Sequence, residues 1–88
     1  MNDRKEDLSR IKWRCRRGTK ELDYLLLSYF DKYYSAASEG EKQTFQKILS
    51  EQDPTIIDYF ANPQGISDTS VYQMIRIILG STESFQIK

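Results

Sequence analysis

"RRGTKELDYLLLSYF", residues 16–30, decides how this chain folds. Leu22, Leu25, Leu26, Tyr29 and Phe30, with Tyr33 just beyond, recur at the spacing of one helix face. That is the strongest apolar stripe in the sequence, and it predicts a helix from near Thr19 to about Ala36. Glu21 and Asp23 fall in its first turn, where carboxylates suit the positive end of the helix dipole. Gly18 stands just before it. Glycine accepts the left-handed conformation past a helix end, so it predicts a sharp corner with a preceding helix.

Working outward, that first helix spans about Asp3 to Arg17. Leu8, Ile11 and Cys15 make a narrow apolar face, and Arg14, Arg16 and Arg17 crowd the last turn at the negative end of the dipole. Downstream, "SEGE" at Ser38 to Glu41 matches a capping box and opens a third helix. Phe45, Ile48 and Leu49 are its core face, and it stops near Gln52. Asp53-Pro54 starts a fourth, with Asp53 as cap and Pro54 at the first helical position. Ile56, Ile57, Tyr59 and Phe60 make this segment largely apolar and so predict burial. Asn62 to Gly65 is a loop. A fifth helix starts around Asp68 and ends before Gly80, with Val71, Met74, Ile75, Ile78 and Leu79 inward. No useful stretch alternates with period two. The reading is one all-α domain over residues 1–80, a bundle of about five short helices, with residues 81–88 as a flexible tail whose Phe85 or Ile87 can fold back.

Composition narrows the function. A chain of 88 residues buries only roughly 60% of the surface its unfolded form exposes, which leaves no room for a deep catalytic cavity. It has no histidine, so His-based metal sites, Ser-His-Asp triads and Cys-His pairs are excluded. The one cysteine, Cys15, permits no internal disulfide and lies on the apolar stripe, which makes it a small core residue. No glycine-rich phosphate loop or carboxylate couple stands out. The chain reads as a binding module and not as an enzyme, without a metal or a stably bound cofactor. It lacks an apolar run long enough to span a membrane and a secretory leader, which points to a cytoplasmic protein.

Net charge is zero but polarised. Residues 1–20 hold eight cations against three acids, and the remaining 68 carry the compensating negative charge. These charges fit solvated helix faces, a surface for a protein partner, or a phosphate-binding stripe. Trp13 lies beside the arginines and off the core face. It is either an interface anchor, a role in which Trp and Arg are enriched, or a filler beside helix two. Arg10, Arg14 and Arg17 form one basic stripe at i, i+4 and i+7 that suits nucleic acid. Against that reading, the rest of the chain is acidic, and helix two is apolar and acidic where a recognition helix would be polar and basic.

"WRCRRGTKELD", Trp13 to Asp23, resembles the signature of the succinate dehydrogenase flavinylation-factor family, small FAD assembly factors of bacteria and mitochondria. Their R-G-x-x-E hallmark is matched by Arg17, Gly18 and Glu21. The resemblance extends through the helix-two stripe, "SEGEK" at Ser38 to Lys42 and "DPTIIDYF" at Asp53 to Phe60. Thr19 stands where relatives often carry a bulkier apolar residue, and Tyr59 and Phe60 where they commonly have tryptophan. The resemblance implies a helper, monomeric when free, that promotes covalent attachment of FAD to the flavoprotein subunit of succinate dehydrogenase or fumarate reductase. In such enzymes a histidine of the flavoprotein bonds to the 8α carbon of the flavin. Some family members have instead been described as antitoxins paired with a membrane-associated toxin. On the flavinylation reading the Arg17-Gly18-x-x-Glu21 corner docks on the client, Gly18 permits close approach, and Trp13, Arg14, Arg16 and Asp23 extend the contact.

Overall fold

The computed structural model describes the backbone of residues 3–81 and the side chains of residues 8–80. Its described residues form five α-helices and two short 3₁₀ turns, with no strand. Helix α1 spans Asp3–Arg14. It ends three residues earlier than expected, because its last turn tightens. The Cys15 amide returns to the Lys12 carbonyl at 3.0 Å and the Arg16 amide to Trp13 at 3.1 Å. Arg16 and Arg17 therefore leave the helix, and the cations of its last turn are Lys12 and Arg14. Gly18 then turns the chain with φ +92°, the one positive φ among the described residues.

Thr19 caps helix α2, Lys20–Tyr33, by accepting the Leu22 amide at 3.3 Å. Leu22, Leu25, Leu26 and Tyr29 are buried on this helix. Each such side chain contributes about 1.5–3 kcal/mol, against about 1 kcal/mol for a cap, so the stripe outweighs the caps in fixing α2. Its end differs from the expected pattern. Residues Tyr34–Ala36 form a 3₁₀ turn, whose tighter winding changes the phase. Tyr34 turns inward and stacks on Phe30 at 5.0 Å, while Tyr33 is left 46% exposed. Phe45 completes the aromatic cluster, 4.9 Å from Tyr29 and 5.5 Å from Tyr34.

Helix α3, Glu39–Leu49, opens as expected at Ser38, whose hydroxyl accepts the Glu41 amide at 3.1 Å. The Glu41 carboxylate accepts the Tyr29 hydroxyl at 2.6 Å, tying α3 to α2. The helix stops at Leu49, short of Gln52. Helix α4 spans Asp53–Ala61, with Gln52 in the cap position and Pro54 in the first turn. The Thr55 and Ile56 amides both return to the Gln52 carbonyl. Asp53 is thus the first helical residue and not the cap, which frees its carboxylate for Arg17. Ile56 and Phe60 point inward, but Ile57 is 46% exposed, so α4 is not buried all round.

After the 3₁₀ turn Pro63–Gly65, helix α5 runs Thr69–Ser81 and packs against α2, α3 and α4. The Asp68 carboxylate accepts the Val71 amide at 3.1 Å and opens it. The helix passes through Gly80, where it was expected to stop. Gly80 is exposed, and an interior glycine costs a helix only about 1 kcal/mol relative to alanine. The tail beyond, with Phe85 and Ile87, lies outside the described residues.

Candidate functional site: the corner between the first two helices

Arg17 is the hub of the corner. Its Nε donates to the Asp53 carboxylate at 2.9 Å, closing an ion pair with the start of α4. Its two terminal nitrogens donate to the carbonyls of Arg14 and Leu49, both at 3.0 Å, and Glu51 at 2.8 Å. One planar guanidinium thereby collects the end of α1, the end of α3 and the start of α4. The side chain is only 16% exposed. An arginine suits this task because its fixed fork presents five donors at once. The first residue of the R-G-x-x-E hallmark thus spends its donors inside the fold.

Asp23 also faces inward. Its Oδ1 accepts the Arg17 amide at 2.5 Å and the Gly18 amide at 3.3 Å, so α2 holds the corner's backbone in place. Arg17 and Asp23 are therefore the frame. The other expected residues divide differently. Trp13 is 72% exposed and does not fill a gap beside α2. Arg16, Gly18 and Glu21 are exposed, and Arg14 is half-buried. A Cβ built on Gly18 meets nothing within 4 Å, so the corner is open on its outer side. Lys12 pairs with Asp31 at 3.2 Å across α1 and α2.

An apolar groove of about 200 Å³ runs beside the corner, between the start of α2 and α4. Buried Leu22, Leu25 and Phe60 form its base, with exposed Ile57 and Ala61 from α4 and Thr19 and Glu21 from the corner. The sequence reading missed Ile57, which it placed in the core, and Asp53, which it made a cap. Adjacency gave no signal for Ile57, because neighbouring apolar residues about 100° apart on a helix can both reach the core, as Leu25 with Leu26 and Ile48 with Leu49 do here.

The basic stripe of Arg10, Arg14 and Arg17 does not form, since Arg17 is off the helix and engaged with Asp53. Among the described residues there is no cluster of acids and cysteine suited to a metal, and no helix is long and apolar enough to cross a membrane.

Cys15 is fully buried, and its thiol donates to the Ile11 carbonyl at 3.5 Å. Burial, helped by Asp31, pushes its pKa from 9.0 up to about 12, against the opposing pull of Arg17 and Arg14. The thiolate nucleophile is therefore suppressed at neutral pH. A thiol reagent at pH 8 should label the native chain at least about 100-fold more slowly than the urea-unfolded chain. Fast labelling of the native chain would contradict this burial. Because the folded pKa is the raised one, the thiol's contribution to stability is complete below pH 9 and is lost as pH rises from 9 to about 12. Urea midpoints should fall over that window, and Cys15→Ala should flatten part of the fall.

Comparison with known proteins identifies relatives of this sequence. Residues 9–79 match the family model described as "Flavinator of succinate dehydrogenase". The FAD assembly factor SdhE of Yersinia pseudotuberculosis is 36% identical over 73 residues, 83% of each chain. That of Colwellia psychrerythraea is 36% identical over 75 residues, 85% of this chain and 82% of its own. That of Idiomarina loihiensis is 35% identical over 74 residues. The antitoxin and nucleic-acid readings draw no support from these matches. With residues 9–79 of its 88 matched by that model, this chain belongs to the family of flavinators of succinate dehydrogenase.

Proposed function

We propose that this chain promotes covalent attachment of FAD to the flavoprotein subunit of succinate dehydrogenase, by binding that subunit through the open corner at Gly18 and Glu21. The observation that carries this reading is the combination of family membership with a corner whose inner side is locked by Arg17 and Asp23 and whose outer side is open. The chain has no histidine, and its cysteine is sealed in the core. The client's histidine and the flavin supply the reacting atoms, and the helper supplies orientation. Such a helper favours the attachment-competent form of its client only through its differential affinity for it. Turning a population of 1:99 into 99:1 takes a preference of about 10⁴-fold. Fumarate reductase is proposed as a second client, and the free helper as a cytoplasmic monomer.

The test is to produce the flavoprotein subunit with and without this chain, in cells lacking their own factor. Flavin fluorescence of the flavoprotein band on a denaturing gel should rise with the wild-type chain and fall back with Glu21→Ala. Equal fluorescence with and without folded wild-type chain would sink the proposal for this client.

A further inference from the structure

The groove beside the corner has an unusual make-up for exposed surface. Ile57 presents nearly half of its area to solvent, although α4 has a core face to offer it. The lining is apolar except for Thr19 and Glu21. Among the described residues Glu21 makes no ion pair, whereas the corner's other carboxylate, Asp23, is occupied by two backbone amides. Lys20, the adjacent cation, belongs to a different surface, shared with Asp23 and Tyr24. A small apolar socket with one unspent carboxylate on its rim is complementary to an apolar side chain flanked by a cation.

The geometry points to this groove as the anchor pocket for the flavoprotein subunit, accepting one apolar side chain from it while Glu21 pairs with a neighbouring Lys or Arg of that subunit. This rests on the proposed function. It adds α4 to the binding surface, which the hallmark motif does not contain. It also gives the Arg17–Asp53 pair a second consequence. By pinning the start of α4 to the corner, the pair sets the spacing between Ile57 and Glu21, the two sides of the socket. A second copy of the chain carries a matching element in Trp13 with Arg14 and Arg16. Such docking would cover both corners, however, and exclude the client they serve.

The experiment titrates the FAD-free flavoprotein subunit with wild-type chain, Ile57→Ser, Glu21→Gln and the control Ile77→Ser. Ile77 is 43% exposed, close to Ile57 in exposure, but lies on α5. Each variant's melting is recorded to confirm that it is folded. Ile57→Ser should weaken binding by about ten-fold or more, the worth of burying one such side chain. Glu21→Gln should weaken it less and reduce its salt dependence, because an exposed ion pair is screened. Ile77→Ser should bind as wild type. If wild type binds and Ile57→Ser binds equally well, the pocket is refuted while the proposed function stands. Failure of the wild-type chain to bind overturns the proposed function and the pocket with it. A wild-type dimer that Ile57→Ser dissociates, with affinity for the flavoprotein unchanged, assigns the groove to a second copy and also refutes the proposal.

Discussion

Arg17→Met should destabilise the domain by about 3 kcal/mol and lower its melting temperature by at least about 10 °C. The substitution keeps much of the stem's packing and removes four donated bonds. Hydrogen bonds from a charged donor are worth about 1.5–3 kcal/mol each, but they do not simply add here. Asp53 is about one-third exposed, and water can replace part of what it loses. The harder loss is at the Leu49 and Glu51 carbonyls, just where α3 ends and its last carbonyls lack helical partners. Arg17→Lys should recover only part of the stability, because one ammonium cannot span acceptors on three elements. A cycle with Asp53→Asn should show coupling of about 1 kcal/mol or more. Urea unfolding followed by circular dichroism measures all three. The functional readout separates framing from contact. At a temperature where Arg17→Met is fully folded, it should support flavinylation better than a variant of the exposed corner does. A variant that melts like wild type yet fails to support flavinylation would place Arg17 in the client interface instead.

That prediction depends on what one sequence can show. The helix count and order followed from apolar spacing, because each helix has a single core face and α2 has an emphatic one. Gly18 and Ser38 were legible because glycine's backbone freedom and a capping hydroxyl act within three or four residues. Three features were not legible, for two reasons. Arg17 and Asp53 are 36 positions apart, and a pairing at that distance leaves no periodic trace in either segment. Tyr33 against Tyr34, and Ile56 against Ile57, are neighbours of like polarity, so composition cannot say which faces the core. A 3₁₀ turn decided the first, and packing of α4 against α5 decided the second. The hallmark told the same partial story. It marked the corner but not which of its residues turn inward, and the exposed set of Trp13, Arg16, Gly18 and Glu21 emerges only once Arg17 and Asp23 are seen to be engaged.

Gly18→Arg should abolish flavinylation, by at least about ten-fold, in a domain that still folds. The backbone at φ +92° penalises any side chain, so some stability is lost, about 1–2 kcal/mol or roughly 5–10 °C in melting temperature. The space around the position is open, so arginine adds no clash to that strain. Gly18→Ala therefore serves as the control. It carries the same backbone penalty with almost no added bulk, and it should melt close to Gly18→Arg. If the corner must approach the client's surface closely, the two variants should diverge in function. Alanine holds the partner off by one methyl group, whereas arginine interposes a long, hydrated cation beside Arg16 and Lys20. Far-UV circular dichroism and melting of both, alongside flavin fluorescence of the client band, make the comparison. Equal loss of flavinylation in the two would assign the effect to backbone strain, and Gly18 would then be only the turn that joins two helices. Strong loss in arginine alone, at matched stability, would locate the client within a side chain's length of the corner. Full activity in folded Gly18→Arg would move the contact away from it, toward Trp13 or elsewhere on the exposed surface.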